Sequence, residues 1–411
     1  MTRSLLDTIV TAIDVGTTKI SVIIARHKEG IITDIIGTSI VPSHGLSKGI
    51  VVDVPRAIES ITTAIKEAET QAGRRIESVY VGVSGAHINS CNSHGTAPVK
   101  RGEITQEDID AALASAQAIP ILEGHQIIHV LPQYFTIDGR ETVVDPLGMH
   151  GIRLEVQAHI VIGSIASVQN VVRCCERAGV HVRDVILEQL ASADAVLTLD
   201  ECALGVGVLD IGGGTADFAV FHRGSIRHTK VIAVAGNHFT TDLALGLRTP
   251  IADAEQLKKE IGIVHKSLLN PELSGHIGSM TGDIIRAVSQ VDVLKILEPR
   301  ARELINFVHD EIKRYKLEPF LGTGLVLTGG GSLLSGIQEI TQEICGCTVR
   351  IGLPRYTVSI PNEFKNPMLA TGYGLLVHAL KKHRVAHEQK AHTSFVFRVV
   401  DRMRSWMKEF F

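Results

Sequence analysis

The sequence predicts an α/β protein built from two related halves, with a smaller unit inserted into the first and a separate amphipathic segment at the end. Three observations carry this. An apolar strand, a Gly/Thr turn and a second strand occupy Ile9–Ile24 (IVTAIDVGTTKISVII), and the same unit returns at Leu204–Phe221 (LGVGVLDIGGGTADFAVF). Their separation of roughly 195 positions fits paired halves, since solenoid repeats recur at a far shorter period. Helical and strand patterns alternate over most of the chain, as in sheets covered by helices. After Leu380 the composition changes abruptly.

Taken in order, Pro55–Ala72 places Ile58, Ile61, Ile65 and Ala68 at helical spacing, and Ile76–Val83 reads as a strand. Residues 85–160 carry polar turns (HINSCNSHGTAPVKRG, DGRETVVDPLG) around short strands expected at Ile127–Leu131, Tyr134–Ile137 and Val156–Ile162. One helix, over Thr105–Gln117, opens there on a capping-box-like Thr-Gln-Glu-Asp. This stretch reads as an inserted subdomain. Helices over Val168–Ala178 and Leu190–Leu197 follow. In the second half, helices are expected over Ala252–Gly262, Asp283–Ile296 and Pro299–Lys316, the last with Ala301, Leu304, Ile305, Val308 and Ile312 on one face. GLVLTGGGSLLSGI reads as a strand, a glycine turn and a helix start, and Asn366–Leu380 as a glycine-containing apolar helix.

A chain of 411 residues allows two to four folding units at ~100–200 residues each. With 21% charged and 45% hydrophobic residues it has a globular rather than a disordered composition. A net charge of −3 offers no field for gathering nucleic acid. Six cysteines without a Cys-x-x-Cys pair argue against a zinc site or disulfide framework and suit reduced thiols. The N-terminus, MTRSLLDTIVTAIDVG, does not read as a signal peptide, and no stretch approaches the ~18 apolar residues of a membrane span. A secreted or integral membrane protein is not expected.

The chemistry lies in the turns. Without a Cβ, a glycine backbone comes close enough for its N–H groups to cradle phosphate oxygens. Thr17, Thr18 and Thr215 add hydroxyls and Lys19 a cation. Asp14 and Asp210 end the strands entering the two turns, where carboxylates can hold a hydrated Mg²⁺, and Asp217 follows the second turn. Either turn alone could be a plain hairpin; two with Asp and Thr in equivalent places point to a phosphate ligand. Gly329-Gly330-Gly331-Ser332 lies between a strand and a helix start, where N–H groups can face a nucleoside or phosphate. Glu255 and Lys258 share a helical face and, taken alone, read as a solvated pair. There is no His-Glu-x-x-His, nucleophile elbow or Gly-Lys-Ser/Thr loop.

The ordered set IDVGTTKI, ILEQLASADAVL, VLDIGGGTADFAV, VLTGGGSLLSGI and NPMLATGYGLL resembles the five nucleotide-site segments of the actin-like ATPases. Within that superfamily the chain resembles the bacterial cell-division family FtsA, through GVSGAHI, the insertion at 85–160, IRHTKVIAVAGNHFTTDLA, LEPRARELI and the amphipathic end. The resemblance implies an actin-like two-lobed fold with ATP and Mg²⁺ between the lobes. The first phosphate turn would be Asp14, Gly16, Thr17, Thr18 and Lys19. The second would be Asp210, Gly212, Gly213, Gly214, Thr215 and Asp217, with Mg²⁺ held through water by Asp14 and Asp210. Gly236 and Asn237 would lie on the sugar–phosphate side, Glu255 and Lys258 by the ribose and adenine, and Gly329–Ser332 under the nucleoside. Glu188 matches the residue that positions the attacking water in related ATPases, and Gln189 replaces the proline common after it. Hydrolysis is therefore expected only as slow or conditional. The implied plan is a first-lobe core (1–84 and 161–198), the insertion (85–160), a second-lobe core (199–233 and 302–380) and its small subdomain (234–301).

The end of the chain is legible without any relative. Residues 381–394 form a polar tether. Beyond it, Val396, Val399, Val400, Met403, Trp406, Met407, Phe410 and Phe411 follow helical spacing, with Arg398, Arg402, Arg404 and Lys408 mostly opposite. That pattern matches a helix lying in a membrane interface, each basic residue adding roughly 1 kcal/mol near anionic lipid; docking on the protein's own core or on a partner is the other reading. The expectation is a peripheral adaptor at the division septum, on the cytoplasmic side of the inner membrane. It would tether the C-terminal peptide of the filament-forming protein FtsZ, assemble with itself into protofilaments and recruit later division proteins through the insertion. Glu298, Arg300 and Glu303 are candidate FtsZ contacts. A metabolite kinase of the same superfamily is the alternative.

Overall fold

The computed structural model describes residues 8–280, 285–355 and 365–381. The tether and the amphipathic segment expected at 395–411 lie outside the described residues.

The first half opens with β1 (Thr8–Val15), β2 (Lys19–Lys28) and β3 (Ile31–Pro42), a small hairpin of β4 (Leu46–Ser47) and β5 (Ile50–Val51), then α1 (Val54–Ala72) and β6 (Ser78–Val83). Asp53 caps α1 by accepting the Arg56 N–H at 3.2 Å, and Gly73, with φ 65°, ends it in the left-handed conformation that glycine adopts without strain. The insertion supplies β7 (Asn89–Pro98), α2 (Gln106–Ala116), β8 (His125–Ile137), β9 (Glu141–Val143) and β10 (Arg153–Ser164). The chain returns through α3 (Ile165–Arg177), β11 (His181–Leu187), α4 (Glu188–Val196) and α5 (Leu199–Leu204). The second half contains β12 (Val206–Ile211), β13 (Ala216–His222), β14 (Ser225–Ile232), α6 (Gly236–Leu247), α7 (Ile251–Ile261), β15 (Ser274–Gly278) and β16 (Ile285–Ser289). It continues with α8 (Gln290–Arg314), β17 (Leu325–Thr328), α9 (Ile337–Cys345), β18 (Val349–Ile351) and a helix over residues 370–381.

The two main sheets are copies of one topology. The first runs β3-β2-β1-β6-β11 and the second β14-β13-β12-β17-β18. In each, three leading strands pair antiparallel and the last two add in parallel. Both faces of the central strands β1, β2, β12 and β13 are covered, which is why they read as continuous apolar runs rather than strict alternation. On β1 and β2, Ile13, Ile20, Val22 and Ile24 join a core with α1 and α3. The alternate residues Val10, Ala12, Ile23 and Ala25 join a different core containing α4 and the 370–381 helix. The second sheet divides likewise: Val206 and Val208 face that shared core, while Leu209, Ile211 and Phe218 pack against α6, α8 and α9. One helical layer thus sits between both sheets. The insertion is a separate four-stranded antiparallel sheet, β7-β10-β8-β9, covered by α2, whose Thr105–Asp108 capping box is formed.

Several expectations need correction. Ile127–Leu131 and Tyr134–Ile137 are one strand, β8, which crosses Pro132 by bulging at Gln133. Asp283–Ile296 is not one helix: β16 precedes it, and α8 then runs unbroken through Pro299. The stripe Val293, Leu297, Ala301, Leu304, Ile305 and Val308 is fully buried along that helix, and this burial outweighs the ~3 kcal/mol disruption of an interior proline. After Gly329 the chain makes a 3₁₀ turn, and α9 begins only at Ile337. The final helix of the span 302–380 packs on the first sheet, beside Ser21 and Ile23, as well as on the second.

Gly374 sets the spacing of the shared layer: a Cβ there would stand 1.8 Å from the Ala191 carbonyl oxygen of α4. Gly374→Ala is expected to lower unfolding stability by about 1–3 kcal/mol through overpacking, read as a fall in the urea midpoint. An unchanged midpoint would contradict the close approach.

Candidate functional site

Each sheet presents a hairpin turn at the same place, between its first two strands. Gly16 N–H closes the first on the Lys19 carbonyl (3.0 Å) and Gly212 N–H closes the second on Thr215 (2.9 Å). The turns meet. A Cβ on Gly213 would lie 1.7 Å from Thr18 Oγ1 and one on Gly214 2.4 Å from Thr17 Oγ1, so only glycine fits the second turn. The Thr18 hydroxyl donates to Asn237 Oδ1 (3.2 Å), and Asn237 N–H to the Gly213 carbonyl (2.8 Å). The N–H groups of Thr17, Thr18, Gly213 and Gly214 have no hydrogen-bond acceptor among the described residues. Unpaired N–H groups on two touching turns of glycine and threonine are donors that an anion could engage.

The turns border a cavity of about 620 Å³ that also takes in α6, α7 and the 329–331 turn. Of the residues expected at the site, all but Ser332 line it. Ser332 is buried instead, its hydroxyl donating to the Gly329 carbonyl (2.7 Å), so it shapes the turn from behind. Glu255 and Lys258 are not a solvated surface pair. Lys258 Nζ donates to Glu255 (2.6 Å), Thr240 Oγ1 (2.8 Å) and the Gly236 carbonyl (3.1 Å), tying α7 to the start of α6. Burial would raise the Glu255 carboxyl, but the hydrogen bonds from Lys258 and Thr240 hold it below its ordinary value.

Four of the carboxylates that line the cavity, Asp14, Glu188, Asp210 and Asp217, influence one another. Asp14 pairs with Lys19 Nζ at 2.7 Å. Asp210 accepts the Ser192 hydroxyl and that of Thr371 (2.9 Å). Asp217 accepts Ser84 Oγ (2.5 Å), Gln189 Nε2 (2.8 Å) and Thr215 Oγ1 (3.2 Å). Burial, reinforced by the charges of Asp210 and Asp14, pushes the Asp217 carboxyl up to about 7. Glu188, the first residue of α4, is raised well above the carboxylate range by burial and by Asp14, Asp217 and Asp210. Burial also raises Asp210, against its two hydroxyl donors. Negative charge penalised in this way is what a nearby cation would relieve. Among the described residues no group of three or more His, Cys, Asp or Glu is placed to chelate a metal directly.

Sequence reasoning missed Ser84, Gln189, Ser192 and Thr371 as site residues. All four are buried and hold second-sheet carboxylates from the first-lobe side. Their signal was faint: small polar residues inside apolar stretches. Glu298, Arg300 and Glu303 lie away from the cavity, and Arg300 is committed to Asp242 of α6 (2.6 and 3.0 Å). No helix among the described residues is long and apolar enough to cross a membrane.

Duplicated sheets with apposed hairpin turns define the actin-like class of two-lobed proteins. Solved structures share the arrangement. The PilM–PilN type IV pilus biogenesis complex matches at a TM-score of 0.66 and 15% identity, over 90% of this chain and 98% of that one. MreB5 of Spiroplasma citri bound to ADP matches at 0.56 and 14%, over 92% and 98%. The family is given by closer relatives. A model of cell division protein FtsA matches residues 207–374, and one of the SHS2 domain inserted in FtsA matches residues 85–162. The chain is 39% identical to cell division protein FtsA of Pseudomonas aeruginosa, over 91% of this chain and 89% of the relative. It is 34% identical to that of Escherichia coli over 98% of both. The chain belongs to the FtsA family of cell-division proteins.

The raised carboxyl gives a signed expectation. Asp217 contributes stability that is fully present below its unfolded value near 4 and is lost as pH rises through about 7. Asp217→Asn keeps an acceptor for Ser84 and Gln189 and places an amide toward Thr215. The melting temperature of the unsubstituted protein should therefore fall more between about pH 5 and about pH 8 than that of the variant. Parallel curves would refute the raised value.

Proposed function

We propose that the cavity is an ATP site and that the protein is an adaptor of cell division. The observation that carries this is the cradle of free N–H groups where the two hairpin turns meet. The cavity fits the ligand on this structure's own terms: glycine positions that a Cβ would fill, unpaired donors for phosphate, and a carboxylate cluster for its cation. ATP would be held by Gly16–Lys19 and Gly212–Thr215 at the phosphates. Gly236, Asn237, Glu255 and Lys258 would lie toward the sugar and base, and Gly329–Gly331 under the nucleoside. Mg²⁺ would be held through water by Asp14 and Asp210, neutralising the charges that burial penalises. Bound across both turns, ATP acts chiefly as a ligand that keeps the lobes together. Glu188 is the candidate for orienting water, and its raised protonation keeps that role slow or conditional.

The adaptor reading adds three contacts. The segment 395–411, with its aromatic and basic faces, attaches the protein to the cytoplasmic face of the inner membrane. The second lobe engages the C-terminal peptide of FtsZ, and copies of the chain assemble into protofilaments. The insertion at 85–160 engages later division proteins. MreB5, solved with ADP, supports the nucleotide part of this reading through the shared fold.

Two measurements test it. Gly213→Val puts a side chain where Thr18 stands and should abolish calorimetric ATP binding while circular dichroism stays unchanged; retained binding would defeat the site. Deleting residues 395–411 should release the protein from anionic vesicles in co-sedimentation, and continued pelleting would defeat the membrane reading.

A further inference from the structure

The insertion belongs to the first lobe by sequence, yet its polar contacts reach the second. β14 is the open edge of the second sheet, and its register with β13 skips Arg227, a bulge that presents the carbonyls of Ile226 and Arg227 together. Facing them is the bulge of β8 at Gln133. The buried Gln133 amide donates to the Ile226 carbonyl (2.9 Å) and the Arg227 carbonyl (3.2 Å). Asn92 Nδ2 donates to the Arg227 carbonyl (3.3 Å) and Ser90 Oγ to that of Thr229 (3.0 Å). His159 completes the seam. Asn92 Oδ1 lies 2.7 Å from its Nδ1, which therefore carries the proton, leaving Nε2 to accept the Thr229 hydroxyl at 2.9 Å. Burial, with the nearby His228, holds this imidazole neutral, at about 3. Side chains of one lobe thus cap the exposed carbonyls of the other lobe's edge strand.

Both sides of the seam run directly into the cavity. Ser84, which donates to Asp217, lies six positions before Ser90. From Thr229, β14 continues past Val231 and Ile232, which pair with Asp217 and Ala216. It then reaches Gly236 and Asn237, which donate to the Gly212 and Gly213 carbonyls. Only the short irregular stretches 84–88 and 233–235 lie between the seam and these contacts.

We propose that the seam between the insertion and β14 is thermodynamically linked to the nucleotide site. Ligand binding that draws the two turns together tightens the seam, and parting the seam loosens the ligand by the same factor. The inference rests on the nucleotide reading above and adds its regulation: a partner that levers the insertion off β14 would weaken nucleotide binding without touching the cavity.

The test uses the full chain, with ATP and Mg²⁺ as the probe. Hydrogen exchange of segments 89–98 and 225–232 should slow when ATP is added. Gln133→Leu, which removes the bonds to the Ile226 and Arg227 carbonyls, and Thr229→Val, which removes the hydroxyl bonded to His159, should each weaken calorimetric ATP affinity roughly fivefold or more. If either variant fails to fold, the exchange measurement on the unsubstituted chain still decides. ATP binding with unchanged exchange at the seam, or folded variants that bind as tightly as the parent, would overturn the linkage alone. The absence of any ATP binding heat, with exchange equally unchanged, would overturn the nucleotide reading and the linkage together.

Discussion

Two turns from opposite sheets approach so closely that a Cβ on Gly213 or Gly214 would displace Thr18 or Thr17, and the site is built around that contact. Where the turns meet, the N–H groups of Thr17, Thr18, Gly213 and Gly214 have no acceptor among the described residues, so an anion placed there would satisfy them. Beneath them, buried carboxylates stand close enough to raise one another's proton affinity. Anion donors above and crowded acids below are opposite electrostatic problems, which the magnesium-bound nucleotide proposed above would resolve together.

The carboxylates also explain why small polar residues sit inside otherwise apolar elements. Ser84, Gln189, Ser192 and Thr371 reach Asp210 and Asp217 from elements that pack with the first sheet. A buried polar group without a partner costs free energy, so each of these hydrogen bonds both satisfies its own group and joins the lobes. Gln189 keeps one obligation unmet: its Oε1 is buried and has no partner among the described residues.

The paired hairpins were legible in the sequence because they are local. Strand, turn and strand lie within about twenty residues, and only Gly, Thr and Asp suit their positions. The capping box of α2 was legible for the same reason. Features that depend on distant packing were not. Nothing near Pro299 announces that a helix will continue through it, because the compensating burial comes from the core against which α8 packs. The seam was equally hidden, since it depends on bulges at Gln133 and Arg227 that exist only once both sheets have formed. Ser332 looked like its glycine neighbours by position, yet its hydroxyl turned inward to close the turn.

The shared helical layer has a consequence for how the chain is made. The apolar face of the first sheet, formed from the earliest residues synthesised, is covered in part by the helix at 370–381. As the polypeptide leaves the ribosome, that face waits for almost the whole chain to emerge before its cover arrives. The first lobe therefore cannot complete its core from its own half of the chain, and a helix made late in translation closes it.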